Sequence, residues 1–253
     1  MKPAAFLFDL DGTLIESEMV WMRAIGDWLA DQGHKLSIDE LAPLVIGRRW
    51  TDVHASVRAR FPDVVRQTAA EAAKTVRPYF NRLVTNPATL VIPGSVAFLR
   101  KVAKIAPCVI VSGSPHADVQ RAAEFCGVAP LVKFVLGEED YARGKPAPDG
   151  FLRAAELLDV DASECVVVED STAGVVAGRA AGMHVIGLAR NPLVPQNYAG
   201  TEWLVHDLSE FDVEAVFGDE ERGLKESVQV ILQNSMQKVG SVVNRYRPHG
   251  SGQ

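Results

Sequence analysis

Asp9 and Asp11, in the run Asp9-Leu10-Asp11-Gly12-Thr13-Leu14, stand two residues apart directly behind the apolar stretch Ala4 to Phe8. Gly12 then breaks the run. Paired carboxylates at the end of a strand can divide a reaction between them, one attacking as a nucleophile while the other moves protons. In open α/β sheets ligands bind outside the carboxyl ends of the strands, which is where this pair falls. An Asp-Gly turn after an edge strand would use the same letters without chemistry. The reading therefore depends on what else gathers at the same place.

Three further groups follow apolar runs in the same way. Ser112-Gly113-Ser114-Pro115 comes after Cys108 to Val111 and offers a hydroxyl and free backbone N–H groups able to hold phosphate oxygens. Arg143-Gly144-Lys145-Pro146-Ala147-Pro148-Asp149 comes after Phe134 to Leu136, with two prolines stiffening the backbone just past Lys145. An ammonium aimed in that way can neutralise a phosphate and a neighbouring carboxylate together. Glu169-Asp170-Ser171 comes after Cys165 to Val168. Acids from two strand ends, with a Ser and a Lys between them, make a hard, oxygen-rich site of the kind Mg²⁺ takes.

The elements that must position these residues are legible as a pattern. Near-continuous apolar runs at Ala5–Phe8, Cys108–Val111, Phe134–Leu136, Cys165–Val168 and His184–Leu188, with a weaker one at Trp203–Val205, predict strands buried on both faces. Helical stretches at 96–106, 119–126, 151–158 and 173–181 alternate with them, so the expected core is an α/β, Rossmann-like parallel sheet. Its expected extent is 1–16 and 90–218, a discontinuous unit.

From Ser17 to Thr89 the rhythm changes and no strand is predicted. Trp21, Ala24, Ile25, Trp28 and Leu29 make one helical stripe, closed by Gly33. Ser37-Ile38-Asp39-Glu40 reads as a capping box opening a second helix. Trp50, Val53, Val57 and Phe61 make a third stripe, ended by Pro62, and Val65, Ala69, Ala72, Val76 and Phe80 a fourth. A connection this long is not a plain crossover. The expectation is an inserted helical cap over 17–89, entered just past the paired carboxylates and able to cover whatever they bind. After Phe217 a helical spacing resumes from Leu224 to Val243, giving an expected C-terminal helix and tail over 219–253 that would dock on the core or on a second copy, as a monomer or a homodimer.

The chain has 253 residues, 47% hydrophobic and 23% charged, with a net charge of −6, which gives no support to nucleic-acid or anionic-membrane binding. No apolar run approaches the length of a spanning helix. The N-terminal apolar stretch is too short for a secretory signal and runs into acids, so the expected location is cytoplasmic. Cys108, Cys126 and Cys165 sit singly among Val, Ile and Ala and read as buried small hydrophobes.

The order Asp-x-Asp-Gly-Thr, then Ser, then Lys-Pro-x-Pro-Asp, then Glu-Asp-Ser resembles the haloacid dehalogenase superfamily of phosphotransferases. The helical insertion straight after the first motif is similar to its branch containing β-phosphoglucomutase and the sugar-phosphate and phosphoglycolate phosphatases. The resemblance covers roughly residues 4 to 215 and leaves the C-terminal segment unexplained. It implies Asp9 as the nucleophile forming an aspartyl-phosphate, and Asp11 as the group that protonates the leaving alcohol and then activates water. It implies that Thr13, Ser112 (with the Gly113 backbone) and Lys145 hold the transferring phosphoryl group. Mg²⁺ would be held by Asp9, the Asp11 carbonyl and Asp170, with Glu169 in or near its shell. The activity implied is Mg²⁺-dependent hydrolysis of a small phosphorylated metabolite, in the first place a sugar phosphate.

A β-phosphoglucomutase-like mutase would use the same residues and return the phosphoryl group to the sugar. A phospho-receiver module also joins an acidic pocket to a Lys, but needs neither a second Asp for leaving-group chemistry nor a long lid. Specificity would fall to the inserted helices, with Gly47-Arg48-Arg49-Trp50 as the expected substrate-reading loop: two planar guanidinium donors and an indole face for a sugar ring. The opposing reading is that Trp50 simply begins the apolar stripe of the third helix.

Overall fold

The computed structural model describes residues 2–46, 48, 50–190 and 195–217. The expected C-terminal helix and tail, together with Gly47 and Arg49 of the expected substrate loop, lie outside the described residues.

Six strands, β1 (Ala5–Phe8), β2 (Cys108–Val111), β3 (Val132–Leu136), β4 (Cys165–Glu169), β5 (His184–Leu188) and β6 (Trp203–Val205), form one sheet in the order β3-β2-β1-β4-β5-β6. Every pairing is parallel. Leu7 lies between Val109 of β2 and Val167 of β4, so β1 sits at the centre, with the chain winding away from it in both directions. That reversal opens a crevice at the carboxyl ends of β1, β2 and β4, the place where open α/β sheets bind ligands.

Side chains alternate across the strands. Phe6, Phe8, Ile110, Val166, Val168 and Ile186 face one side and pack with α5 (Pro93–Val102), α6 (His116–Phe125) and α9 (Val213–Phe217). Leu7, Val109, Val111, Val167 and Val185 face the other side and pack with α7 (Asp149–Leu158) and α8 (Thr172–Ala180). Both faces are covered, which is why these strands read as unbroken apolar runs. On the first face Phe98 meets Phe6, Phe8 and Phe211 edge-on, with ring centroids 6.3, 6.0 and 5.5 Å away. The three cysteines are buried and unpaired.

Four helices occupy the interval between β1 and α5: α1 (Glu18–Asp31), α2 (Ile38–Val45), α3 (Trp50–Arg60) and α4 (Ala69–Leu83). They enclose an apolar cluster of their own that includes Met22, Ile25, Trp28, Leu29, Leu41, Val53, Val57 and Val76. The backbone entering this segment pairs with the backbone leaving it: Ile15 bridges Val91 in antiparallel fashion, Glu16 N–H donates to Leu90 O (2.7 Å) and Ile92 N–H to Leu14 O (2.9 Å). The two connections thus form a short double linker beside the first motif.

Local signals explain most boundaries. Gly33 takes φ +89° after α1, and its neighbour His34 N–H returns to Leu29 O (2.9 Å), a left-handed turn that Gly permits. The capping box at Ser37 and Glu40 is formed, with Ser37 N–H donating to Glu40 Oε2 (3.0 Å). Several boundaries differ from the sequence expectation. α5 starts at Pro93 and ends at Val102, because Pro at the first helical position opens the helix ahead of its apolar stripe. α6 starts at His116, directly after Pro115. Val65 lies before α4, buried in the preceding loop; the helix opens on a capping box at Thr68 and Glu71 instead. Among the described residues no helix is long and apolar enough to cross a membrane.

Candidate active site

Asp9 follows β1 directly and is 7% exposed. Its Oδ1 accepts from Lys145 Nζ at 2.5 Å, while its Oδ2 is buried with no partner. Lys145 reaches it from the loop between β3 and α7, and its Nζ also donates to Glu169 Oε1 (2.5 Å) and to Val111 O (3.2 Å). Glu169, at the end of β4, is fully buried and spends its other oxygen on Ser171 N–H (3.0 Å) and Oγ (2.9 Å). Asp170 is 8% exposed and accepts a long hydrogen bond from Thr13 Oγ1 (3.4 Å). Asp9 therefore meets three residues that lie more than a hundred positions further along the chain, Lys145, Glu169 and Asp170, around one point.

Two glycines make room for the acids. A Cβ on Gly12, whose φ is +89°, would overlap the Asp170 carboxylate, and one on Gly174 would overlap that of Glu169. Both Asp-x-Asp-Gly and the glycine-rich start of α8 are thus explained by how closely backbone approaches carboxylate.

Asp11 occupies a separate, polar niche. Its carboxylate accepts from the hydroxyls of Ser17, Ser112 (3.2 Å) and Ser114 (2.8 Å). Ser114 N–H in turn donates to Ser112 Oγ (3.0 Å), so the turn around Gly113 is fastened to Asp11. The Asp11 side chain is not among the three that converge as candidate metal ligands; Asp9, Glu169 and Asp170 are, with ligand atoms all within 4.8 Å of one another.

Burial perturbs the ionisable groups around Asp9. Burial pushes the Asp9 carboxyl up to about 8, with Glu169 and Asp11 adding to the rise and Lys145 opposing it. Burial and the Asp9 and Glu169 charges raise Asp170 as well. Burial alone would lower Lys145, but Asp9 and Glu169 overcome it and hold the ammonium above its usual range. Three buried carboxylates thus face one ammonium, a surplus of negative charge that is costly in a desolvated site unless a cation shares it. The all-oxygen donor set of Asp9, Glu169 and Asp170 fits a hard divalent cation.

Several supporting residues were not singled out in the sequence. Tyr141 donates its hydroxyl to Ser112 O (2.7 Å) and Tyr198 donates to Asp170 O (2.7 Å), each fixing the backbone of a site residue. Ser17 and Ser114 complete the hold on Asp11. Ser114 was within reach of sequence reasoning, since it shares the Ser-Gly-Ser turn. The tyrosines carry no local signal, because their partners are backbone carbonyls distant in sequence. In the expected substrate loop, Arg48 is exposed and donates to Ser56 Oγ (2.9 Å). Trp50 is half-buried in the helical cluster, its Nε1 donating to Ala69 O (2.6 Å), so the indole packs between α3 and α4.

The chain matches the haloacid dehalogenase-like hydrolase family over residues 3–182 and belongs to it. It is 34% identical over 190 residues to hexitol phosphatase A of Escherichia coli, covering 74% of this chain and 84% of that one. It is 30% identical over 240 residues to the β-phosphoglucomutase of Mycobacterium bovis, covering 83% and 91%. Among solved structures, CbbY of Rhodobacter sphaeroides superposes with a TM-score of 0.71 at 22% identity, covering 82% of this chain and 96% of that one, which establishes a shared fold.

Proposed function

We propose that this protein is a Mg²⁺-dependent phosphatase that hydrolyses a small phosphorylated metabolite, a sugar or polyol phosphate, through an aspartyl-phosphate on Asp9. The observation that carries the reading is the unpartnered, buried Oδ2 of Asp9 beside an ammonium held by two acids. It is a nucleophilic oxygen kept free of hydrogen bonds next to a fixed positive charge, where an anionic phosphoryl group can approach. The likeness to hexitol phosphatase A supports the substrate class.

In this reading Asp9 Oδ2 forms a bond to phosphorus as the bond from phosphorus to the leaving oxygen breaks. Asp11 gives its proton to that oxygen. Water then attacks the phosphoaspartate, Asp11 takes its proton, and the bond between Asp9 and phosphorus breaks to release inorganic phosphate. The hydroxyls of Ser17, Ser112 and Ser114 keep the Asp11 carboxylate aimed during both transfers. Lys145 offsets the repulsion between carboxylate and phosphate. A Mg²⁺ ion held by Asp9 and Asp170, with Glu169 behind them, supplies further charge neutralisation when bound. The four helices α1–α4 serve as a cap over this site.

The likeness to β-phosphoglucomutase favours one alternative outcome on the same residues, return of the phosphoryl group to the sugar. One experiment separates them. Rapid acid quench of the enzyme with a ³²P-labelled hexitol or hexose phosphate and Mg²⁺ is expected to trap label on the wild type, none on Asp9→Asn, and to show it leaving as inorganic phosphate. Label recovered on a second sugar position would establish the mutase instead, and no trapped label on the wild type would remove the covalent mechanism.

A further inference from the structure

The loop from β3 to α7 delivers Lys145 to the site, and it also grips the end of β2. It takes the carbonyls of that strand end almost in succession. Lys145 Nζ donates to Val111 O (3.2 Å), the Tyr141 hydroxyl to Ser112 O (2.7 Å) and Glu138 N–H to Ser114 O (3.0 Å). In return Ser112 N–H donates to Leu136 O (3.0 Å), where the loop begins. The backbone of the Ser112–Ser114 turn is therefore held by the loop, while its two hydroxyls are spent on Asp11.

Of these three donors, Glu138 gives its backbone and Lys145 already serves Asp9 and Glu169. Tyr141 takes no part in the bond-making steps. Its ring packs against the sheet core, so closely that a Cβ on Gly150 would lie 3.0 Å from it and 2.9 Å from Val111. That seat fixes where the hydroxyl points. Burial pushes the phenol up to about 12, so it stays a donor throughout the neutral range. Ser112 is buried, at 1% exposed, so withdrawing the hydroxyl leaves a buried carbonyl without that donor and favours displacement of the turn. Both serine hydroxyls would shift together, because Ser114 N–H is tied to Ser112 Oγ (3.0 Å). Of the three serines holding Asp11, Ser17 alone lies outside the turn.

Building on the phosphatase reading, we infer that Tyr141 is a positioning residue for the proton transfers of Asp11. It acts through the backbone of Ser112, whose hydroxyl it keeps on the Asp11 carboxylate. Its influence therefore falls on the step where the leaving oxygen takes a proton, and grows with how much that oxygen needs one. An effect exerted through Lys145 instead would weaken the hold on the phosphoryl group and touch every ester alike.

The test compares kcat/KM, which reports the steps up to release of the alcohol, for a hexitol phosphate and for p-nitrophenyl phosphate. The hexitol must leave as an alkoxide unless it is protonated, whereas nitrophenolate is a stable leaving group. Tyr141→Phe keeps the ring and removes only the hydroxyl. It is expected to lower kcat/KM for the hexitol phosphate about tenfold and for the aryl phosphate less than about twofold. The aryl activity, with the melting temperature, gauges how much enzyme is folded. A second measurement follows single turnover of the hexitol phosphate in an Asp11→Asn background. There Tyr141→Phe should change the rate by less than about twofold, since the group it positions is gone. Parallel loss on both esters, no loss on either, or a full effect persisting in Asp11→Asn would overturn the inference while leaving the phosphatase reading intact. Failure of the wild type to release phosphate from either ester would overturn both.

Discussion

The strand-end site and the helical segment above it are built on opposite principles. At the strand ends, charge is concentrated: Asp9, Glu169, Asp170 and Lys145 are packed together with little solvent, and glycines rather than side chains fill the space around them. In the helical segment the interior is apolar, Trp28, Val53, Val57 and Val76 among its members, and it communicates with the core through a double linker and the Arg77–Asp118 pair. One region holds unfavourable charges in place through buried ion pairs and hydrogen bonds. The other has a small apolar core of its own, with Val20 and Phe80 packed against the cluster on the sheet. That contrast matches a division between a fixed reaction centre and a variable reader.

The largest effect that would test the contrast is at the centre. Asp9→Asn should reduce turnover by about four orders of magnitude on any substrate, as expected for loss of a nucleophile, while the fold persists. Phosphate-release assays and a melting curve check both halves, and retention of more than about one per cent of activity would exclude Asp9 as nucleophile.

The next is the response of the site to pH and to metal. The Asp9 carboxyl is raised by burial to about 8 from an ordinary value of 3.8, so between those values the folded state binds more protons than the unfolded chain. Stability of the metal-free protein should therefore fall as pH rises from 5 to 8. Saturating Mg²⁺ favours the ionised carboxylates and should raise the melting temperature more at pH 8 than at pH 5, with chelator reversing the gain. A Mg²⁺ shift that is absent, or equal at both pH values, would remove the cation from the Asp9 site.

A third pair of substitutions sets the two cores side by side. Phe98→Ala and Trp28→Ala each empty a large ring from a packed interior and should cost about 3–5 kcal/mol. Phe98 supports the sheet through Phe6 and Phe8, so its loss should lower activity on all substrates together as the whole protein melts. Trp28 belongs to the helical cluster, and its loss should abolish hydrolysis of sugar phosphates at temperatures where an aryl phosphate is still cleaved. Identical temperature profiles for the two substrates in Trp28→Ala would show that the regions unfold as one.

The smallest expected effect is local. Thr68→Ala removes the N-cap of α4, where Thr68 Oγ1 accepts from Glu71 N–H (3.3 Å), and should cost about 1 kcal/mol. Because α4 belongs to the helical segment proposed as the cap, KM for a sugar phosphate should rise slightly while the aryl phosphate is unaffected. Equal change on both would mean that the cap's stability and its specificity are not linked through α4.

The parallel sheet was legible because it is buried on both faces, which forces unbroken apolar runs whose ends can be read residue by residue. β1, β2, β5 and β6 begin and end where those runs do, whereas β3 starts earlier, at Val132, because an edge strand tolerates the exposed Lys133. The four strand-end motifs were legible for a related reason: chemistry requires particular residue types at turns, and turns have local signatures. Helix starts were less so where a cap rather than a stripe set them, as at Pro93 and Thr68. Sequence therefore determined which residues carry charge to the sheet's edge and in what order. Tertiary structure alone decided how they divide. Only folding shows that Lys145 bridges Asp9 and Glu169 and that Asp11 is drawn aside by three serines. The same holds for Trp50, spent on packing, and for Arg77, which reaches across to Asp118. These are contacts between positions far apart in the chain, set by where the winding brings strand ends and helices together, and no local pattern encodes them.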